Sequence, residues 1–268
     1  MDTSSVLFAF GLTLLAGLAT GIGSLLAFFT RSTNTRFLSA ALGLSAGVML
    51  YVSFMEIFPQ AQDSLVLALG KTGGSWAALG AFFAGILVIA LIDRLVPAGD
   101  NPHVIKKVEE LHQKTPQSRQ MMRVGIFSAL AIAIHNFPEG LAAFVSAVRQ
   151  PALGVAIAIA IAIHNIPEGI AVSVPVYFAT GDRKKAFFLS FLSGLAEPLG
   201  AVFGYLFLLH TVNDVIFGTL FAMVAGIMVF ISLDELLPTA REYGEEHVAI
   251  YGTVAGMIIM GVSLLLLG

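Results

Sequence analysis

Residues 46–61 read AGVMLYVSFMEIFPQA, and residues 225–240 read AGIMVFISLDELLPTA. Seven of the 16 positions are identical, at an offset of 179. The likeness extends to both sides. GLATGIG at 17–23 answers GLAEPLG at 194–200, offset by 177, and Gly80 and Gly85 answer Gly256 and Gly261, offset by 176. Three apolar segments therefore recur in the same order, with a stretch of about 100 residues between the two sets. Small residues make membrane helices look alike by composition, but three matches in one order at nearly one offset point to an internal repeat.

The composition says what solvent this repeat meets. The 268 residues are 57% hydrophobic and 12% charged, with a mean hydropathy of +0.89. Soluble domains carry about 25% charged residues. The net charge of −3 offers no basic surface for nucleic acid. With no cysteine, disulfides and thiolate metal sites are excluded. Apolar runs of about 20 residues span a bilayer as helices, and eight are predicted: 6–29, 38–58, 75–96, 123–148, 152–179, 186–208, 214–233 and 248–267. The sequence thus predicts one all-α polytopic membrane domain over 1–268, with one sizeable loop at 97–122.

Lysine and arginine set the orientation. The first, third, fifth and seventh connections hold Arg31, Arg36, Arg94, Lys106, Lys107, Lys114, Arg119, Arg123, Arg183, Lys184, Lys185 and Arg241, which is 12 of the 14. Only Lys71 and Arg149 fall on the other side. That side is then external, both termini lie there, and loop 97–122 is cytosolic. The second helix runs outward and the seventh inward, so the repeats are inverted. Inverted repeats are a mark of secondary transporters, whose substrates bind near the midplane.

Between the repeats stand IAIHNFPEGLA (132–142) and IAIHNIPEGIA (161–171). Arg123 and Arg149 bracket the first copy with a midpoint at 136; Arg149 and Asp182 bracket the second with a midpoint between 165 and 166. His135, Asn136, His164 and Asn165 therefore fall at the midplane. Glu197, within GLAEPLG, falls at a similar depth, and Glu139 and Glu168 lie one turn away. A buried carboxylate at that depth costs roughly 2.5–3.5 kcal/mol on insertion scales and needs a partner. His and Glu four apart share one helical face, with Asn on the adjoining face. Pro138 and Pro167 each free a carbonyl, those of Ile134 and Ile163, and are expected to kink their helices. Two His, two Asn and three Glu form a nitrogen and oxygen ligand set suited to Zn²⁺, Fe²⁺ or Mn²⁺. One or two divalent ions would balance the three carboxylates, with Glu139 and Glu168 placed to bridge two.

These motifs, His135-Asn136-Phe137-Pro138-Glu139-Gly140, His164-Asn165-Ile166-Pro167-Glu168-Gly169 and Glu197 in GLAEPLG, resemble those of the Zrt/Irt-like (ZIP) family of metal-ion transporters, closest to its bacterial zinc and iron uptake branch. The resemblance covers essentially the whole chain. It implies a 3+2+3 helix arrangement in the cytoplasmic membrane, uptake of divalent metal into the cytosol, and a binuclear midplane centre. It further implies that His135, Glu139, His164 and Glu168 hold one ion, and Asn136, Asn165, Glu139, Glu168 and Glu197 the other. Met49, repeat mate of Met228, occupies the place where the family can add a residue beside the first ion; as a midplane Met it is more simply read as a gap filler. The family's His-rich loop is here reduced to His103 and His112.

Glu56 lies about 10 Å beyond its helix midpoint, from seven residues at about 1.5 Å each, and its mate Glu235 lies a similar distance toward the cytosol. They are expected either to attract cations at the two mouths or to snorkel to an interface. The bound ions are the cargo, and no prosthetic group is expected. A metal-selective channel would use the same ligands as a carrier. An intramembrane metalloenzyme is disfavoured, because HExxH is absent and no side chain is free as a general base. Pairs such as Gly17/Gly21 and Gly252/Gly256 predict tight helix contacts, within the chain or in a homodimer.

Overall fold

The computed structural model describes residues 3–29, 35–95, 118–208, 213–243 and 246–267. Loop residues 97–117, with His103, Lys106, Lys107, His112 and Lys114, lie outside them, as do Arg31 and His210. The described residues are helical almost throughout: α1 (Thr3–Phe29), α2 (Thr35–Val52), α3 (Phe58–Leu95), α4 (Ser118–Arg149), α5 (Pro151–Thr180), α6 (Arg183–Gly194), α7 (Ala196–Phe203), α8 (Asp214–Ile231), α9 (Leu237–Tyr243) and α10 (Glu246–Leu267).

Polarity is inverted relative to a water-soluble protein. Leu7, Leu67, Trp76, Leu265 and Leu266 are exposed, whereas Thr13, Thr20, Ser24, Ser45, His135, Glu139, His164, Glu168 and Glu197 are buried. Helices suit this setting because every backbone hydrogen bond closes within the element. Among the described residues six stretches are long and apolar enough to cross a membrane: Thr3–Leu25, Arg36–Arg94, Pro151–Val174, Arg183–Phe207, Asp214–Glu242 and His247–Leu266.

The 59-residue stretch Arg36–Arg94 doubles back on itself. Gly70 has φ 77° and ψ 163°, backbone open essentially to glycine alone. Beyond it the chain returns so closely that a Cβ on Gly74 would stand 2.4 Å from Val66 backbone, and Gln62 donates to Ser75 Oγ at 3.3 Å. The sequence predicts helices at 38–58 and 75–96 joined by a loop. Instead helix continues up to Gly70, because hydropathy ends at the bilayer edge while helical hydrogen bonding does not. The segment after α8 likewise runs on as helix to Tyr243, past the predicted end at 233, and α4 begins five residues before its predicted start.

Other boundaries follow local chemistry. Asp182 caps α6 by accepting from the backbone N–H of Lys184 and Lys185 at 2.9 and 3.2 Å. Asn213 caps α8 through Ile216 N–H at 2.9 Å. A π-helical turn, Ser53–Ile57, joins α2 to α3, and another, Ser232–Leu236, joins α8 to α9. Pro59 and Pro238 follow within one turn and lack the N–H that would close regular helix there. Glu56 and Glu235 sit in these two turns, 179 residues apart. By contrast α4 and α5 stay continuous helix through Pro138 and Pro167.

Packing falls into two groups. In the first, α5 runs parallel to α1: Asn165 reaches Ala16 and Gly169 meets Thr20, both 149 apart. The α6–α7 segment runs parallel to α4 in the same manner, with Asn136 reaching Ser193 and Gly140 meeting Glu197, both 57 apart. The second group pairs α2 with α10 and α3 with α8. In it Gly47 meets the Thr253 carbonyl and Gly226 meets that of Phe82, while Gly256 meets Leu44 and Gly85 meets Met223. These contacts relate α3 to α10 at an offset of 171, where the glycine match has 176. Glycines are common enough in membrane helices for a match on glycine alone to slip register.

Candidate metal centre

The HNxPEG copies belong to α4 and α5, antiparallel neighbours joined at Gln150. Because His and Glu lie four apart on each, antiparallel packing sets the His of one helix against the Glu of the other. His164 Nε2 lies 3.1 Å from Glu139 Oε2, and His135 Nε2 lies 3.4 Å from Glu168 Oε2. All four are at most 2% exposed.

The two Asn side chains are fixed from their amide ends. Asn165 Nδ2 donates to the Ala16 carbonyl of α1 at 2.9 Å, and Asn136 Nδ2 donates to the Ser193 carbonyl of α6 at 3.4 Å. A carbonyl only accepts, so these contacts identify the nitrogen and leave each Oδ1 as the free atom. Asn165 Nδ2 also donates to Glu197 Oε1. Glu197 stands in the first turn of α7, just past the break at Leu195 that separates α6 from α7.

Buried polar atoms normally have partners, and an exception needs a reason such as an ion or water. Nine buried side-chain atoms of the described residues have none. Six belong to this cluster: Asn136 Oδ1, Glu139 Oε1, His164 Nδ1, Asn165 Oδ1, Glu168 Oε1 and Glu197 Oε2. Five of the six are oxygens, the donor type that hard and borderline divalent ions take. The groups stand as His–Glu and Asn–Glu pairs; no three His, Asp or Glu of the described residues are drawn into one tight ligating group.

The structure thus brings six of the seven expected residues into contacting pairs, and puts Asn136 alongside on the Ser193 carbonyl. Met49 is wholly buried in the core. Met228 is 2% exposed and lines, with Glu139, Val52, Ile57, Ile161 and Val224, a cavity of about 10 Å³, room for about one water. Glu56 stands apart from the cluster, half-buried, accepting from Gln60 Nε2 at 2.6 Å. Glu235 is also half-buried. Two features escaped sequence reasoning. Arg149 pairs with Asp214 at 2.5 Å and stacks 4.2 Å from the Phe217 ring, tying the α4–α5 turn to α8. Ser24 donates to Ser190 Oγ at 2.6 Å, and Ser190 in turn donates to the Gly169 carbonyl at 3.1 Å, joining α1, α5 and α6.

Ionisable groups buried at the centre of a polytopic helical bundle mark an ion or substrate site within the membrane. A profile described as ZIP Zinc transporter matches residues 98–264. The chain is 63% identical over 265 residues to the "Zinc transporter ZupT" of Lysinibacillus sphaericus, covering 98% of each, and 62% identical over 265 residues to that of Oceanobacillus iheyensis, covering 98% of this chain and 99% of the relative. A protein of the same name from Clostridium perfringens is 58% identical over 278 residues, covering 99% of this chain and 98% of the relative. The chain belongs to the ZIP family, on its ZupT-type branch. It is a multi-pass protein of the cell membrane and a transporter rather than an enzyme.

Proposed function

We propose that the protein carries divalent transition metal, zinc first and Fe²⁺, Mn²⁺ or Co²⁺ by the same ligands, across the cytoplasmic membrane into the cytosol. The observation that carries this reading is the set of six buried, unpartnered donor atoms between α4, α5 and α7. Similarity to relatives named zinc transporters supports the choice of metal. On this reading His135, Glu139, His164 and Glu168 hold one ion. Asn136, Asn165, Glu139, Glu168 and Glu197 hold a second.

The chain crosses the membrane eight times in a 3+2+3 inverted repeat with both termini outside. The parallel pairing of α1 with α5, matched by α4 with α6–α7, supports this arrangement, as does the pairing of α2 with α10, matched by α8 with α3. The first group carries the ligands, and the second frames it. Transport moves one group against the other, so that the centre opens to each side in turn. Their polar ties include Ser45 Oγ to the His164 carbonyl at 3.4 Å and, at the α4–α5 turn, the Arg149–Asp214 ion pair, about which the groups would pivot.

Zn²⁺ uptake into proteoliposomes tests the carrier reading. Flux is expected to saturate with metal concentration, and Fe²⁺, Mn²⁺ and Co²⁺ are expected to compete. Flux that stays linear would make the protein a channel built on the same ligands.

Glu56 and Glu235 act as the cation-attracting groups of the two mouths. Glu56→Ala is expected to raise the KM for external metal several-fold with kcat preserved, since a charge at a mouth acts on encounter. An unchanged KM rejects that role.

A further inference from the structure

The two halves of the candidate centre match contact by contact. Asn165 donates to Ala16 and Asn136 to Ser193; Gly169 meets the Thr20 carbonyl and Gly140 meets that of Glu197. Positions 136 and 165 differ by 29, as do 140 and 169. Positions 16 and 193 differ by 177, as do 20 and 197. Thr20 therefore stands to Asn136 as Glu197 stands to Asn165.

The Thr20 hydroxyl is also one of three buried hydroxyls of the described residues without a partner, with those of Ser39 and Ser53. Several buried helical Ser and Thr here donate to the carbonyl four residues back: Thr13 to Ala9, Thr253 to Ala249, Ser146 to Ala142 and Ser232 to Met228, all within 2.9 Å. The corresponding carbonyl for Thr20 is that of Ala16, which already accepts from Asn165. Thr20 Oγ1 is left wholly buried without a partner, beside Gly194, the neighbour of Ser193.

We infer that Thr20 is a further metal ligand, its hydroxyl giving the centre a neutral oxygen on the Asn136 side. This rests on the proposed centre and extends it. Asn136, Asn165, Glu139, Glu168 and Glu197 offer five oxygen-bearing groups, and Thr20 makes six. Six oxygens suit an octahedral ion such as Mn²⁺, whereas a His-rich set suits Zn²⁺. The two ends of the centre then differ in the metal they prefer. The difference between Thr20 and Glu197 also breaks the symmetry of the ligand set, with a neutral hydroxyl on one side and a carboxylate on the other.

The native chain lacks cysteine, so Thr20→Cys introduces one thiol. The purified full-length variant is titrated with Co²⁺ under reducing conditions. A thiolate-to-cobalt charge-transfer band in the near ultraviolet is expected, saturating with occupancy and lost when Glu139→Ala is added. Calorimetry runs alongside on the unmutated chain. If Co²⁺ binds Thr20→Cys with the unmutated stoichiometry yet no band appears, Thr20 is not a ligand and the centre itself stands. If Co²⁺ does not bind the unmutated chain, the centre is wrong and the inference falls with it. Thr20→Val and Thr20→Ser give an independent arm. Val is expected to weaken Mn²⁺ binding about tenfold, within the range for loss of a supporting group, while Ser retains it; equal affinities in the two overturn the proposal.

Discussion

Glu139→Ala and Glu168→Ala are each expected to reduce metal uptake to the background of empty vesicles, a loss of 100-fold or more. Each carboxylate meets a histidine of the opposite helix through one oxygen and keeps the other without a protein partner. Removing either therefore takes a ligand from both proposed ions, besides orphaning the histidine it faces. Losses of 10–100-fold are common when only a supporting group of a metal site is removed, so a bridging ligand should cost more. The readout is initial Zn²⁺ uptake in proteoliposomes, normalised to inserted protein. Wild-type uptake in both variants would defeat the ligand assignment.

Gly23→Ala should be nearly as damaging, although Gly23 carries no chemistry. A Cβ there would stand 1.9 Å from the Ile166 carbonyl oxygen, where ordinary contact begins near 3.4 Å. The obstacle is backbone, so no side chain can turn aside, and α1 would have to withdraw from α5 by about 1.5 Å. Ile166 follows Asn165, whose amide reaches α1 at Ala16, so the shift is delivered directly to the centre. Overpacking costs roughly 1–3 kcal/mol, and displacement of a site by about 1 Å can cost ~100-fold in rate. A melting temperature lowered by several degrees and uptake reduced by about 100-fold are expected together. Gly11→Ala serves as the control, because its Cβ would have nothing within 4 Å. Equal melting and uptake in the two variants would refute the packing argument.

Much of this was legible in the sequence because the bilayer makes polarity informative. All seven polar residues chosen from the motifs are buried, as their cost in an apolar run requires. The i, i+4 spacing put His and Glu on one face. It did not show that each His would meet the Glu of the other helix, since that depends on antiparallel register. Helix ends were less legible. Hydropathy reports where lipid stops, so the helix of residues 58–69 and α9 both read as connections. Thr20 was in plain view opposite Glu197 in the GLATGIG and GLAEPLG match. A threonine in a membrane helix ordinarily satisfies itself, however, and only the occupied Ala16 carbonyl shows that this one does not.

Gly17 and Gly194 remain. A Cβ on either would lie 2.5 Å from the carbonyl oxygen of the other, and on the proposed inverted repeat the two are mates. Most packing faults can be compensated across a contact, with one side shrinking as the other grows. Here neither partner has anything left to remove. On that reading the two halves of the chain are free to differ in sequence elsewhere, as Thr20 and Glu197 do. At this one crossing each half is the mould of the other, and any side chain added to one is a collision for both.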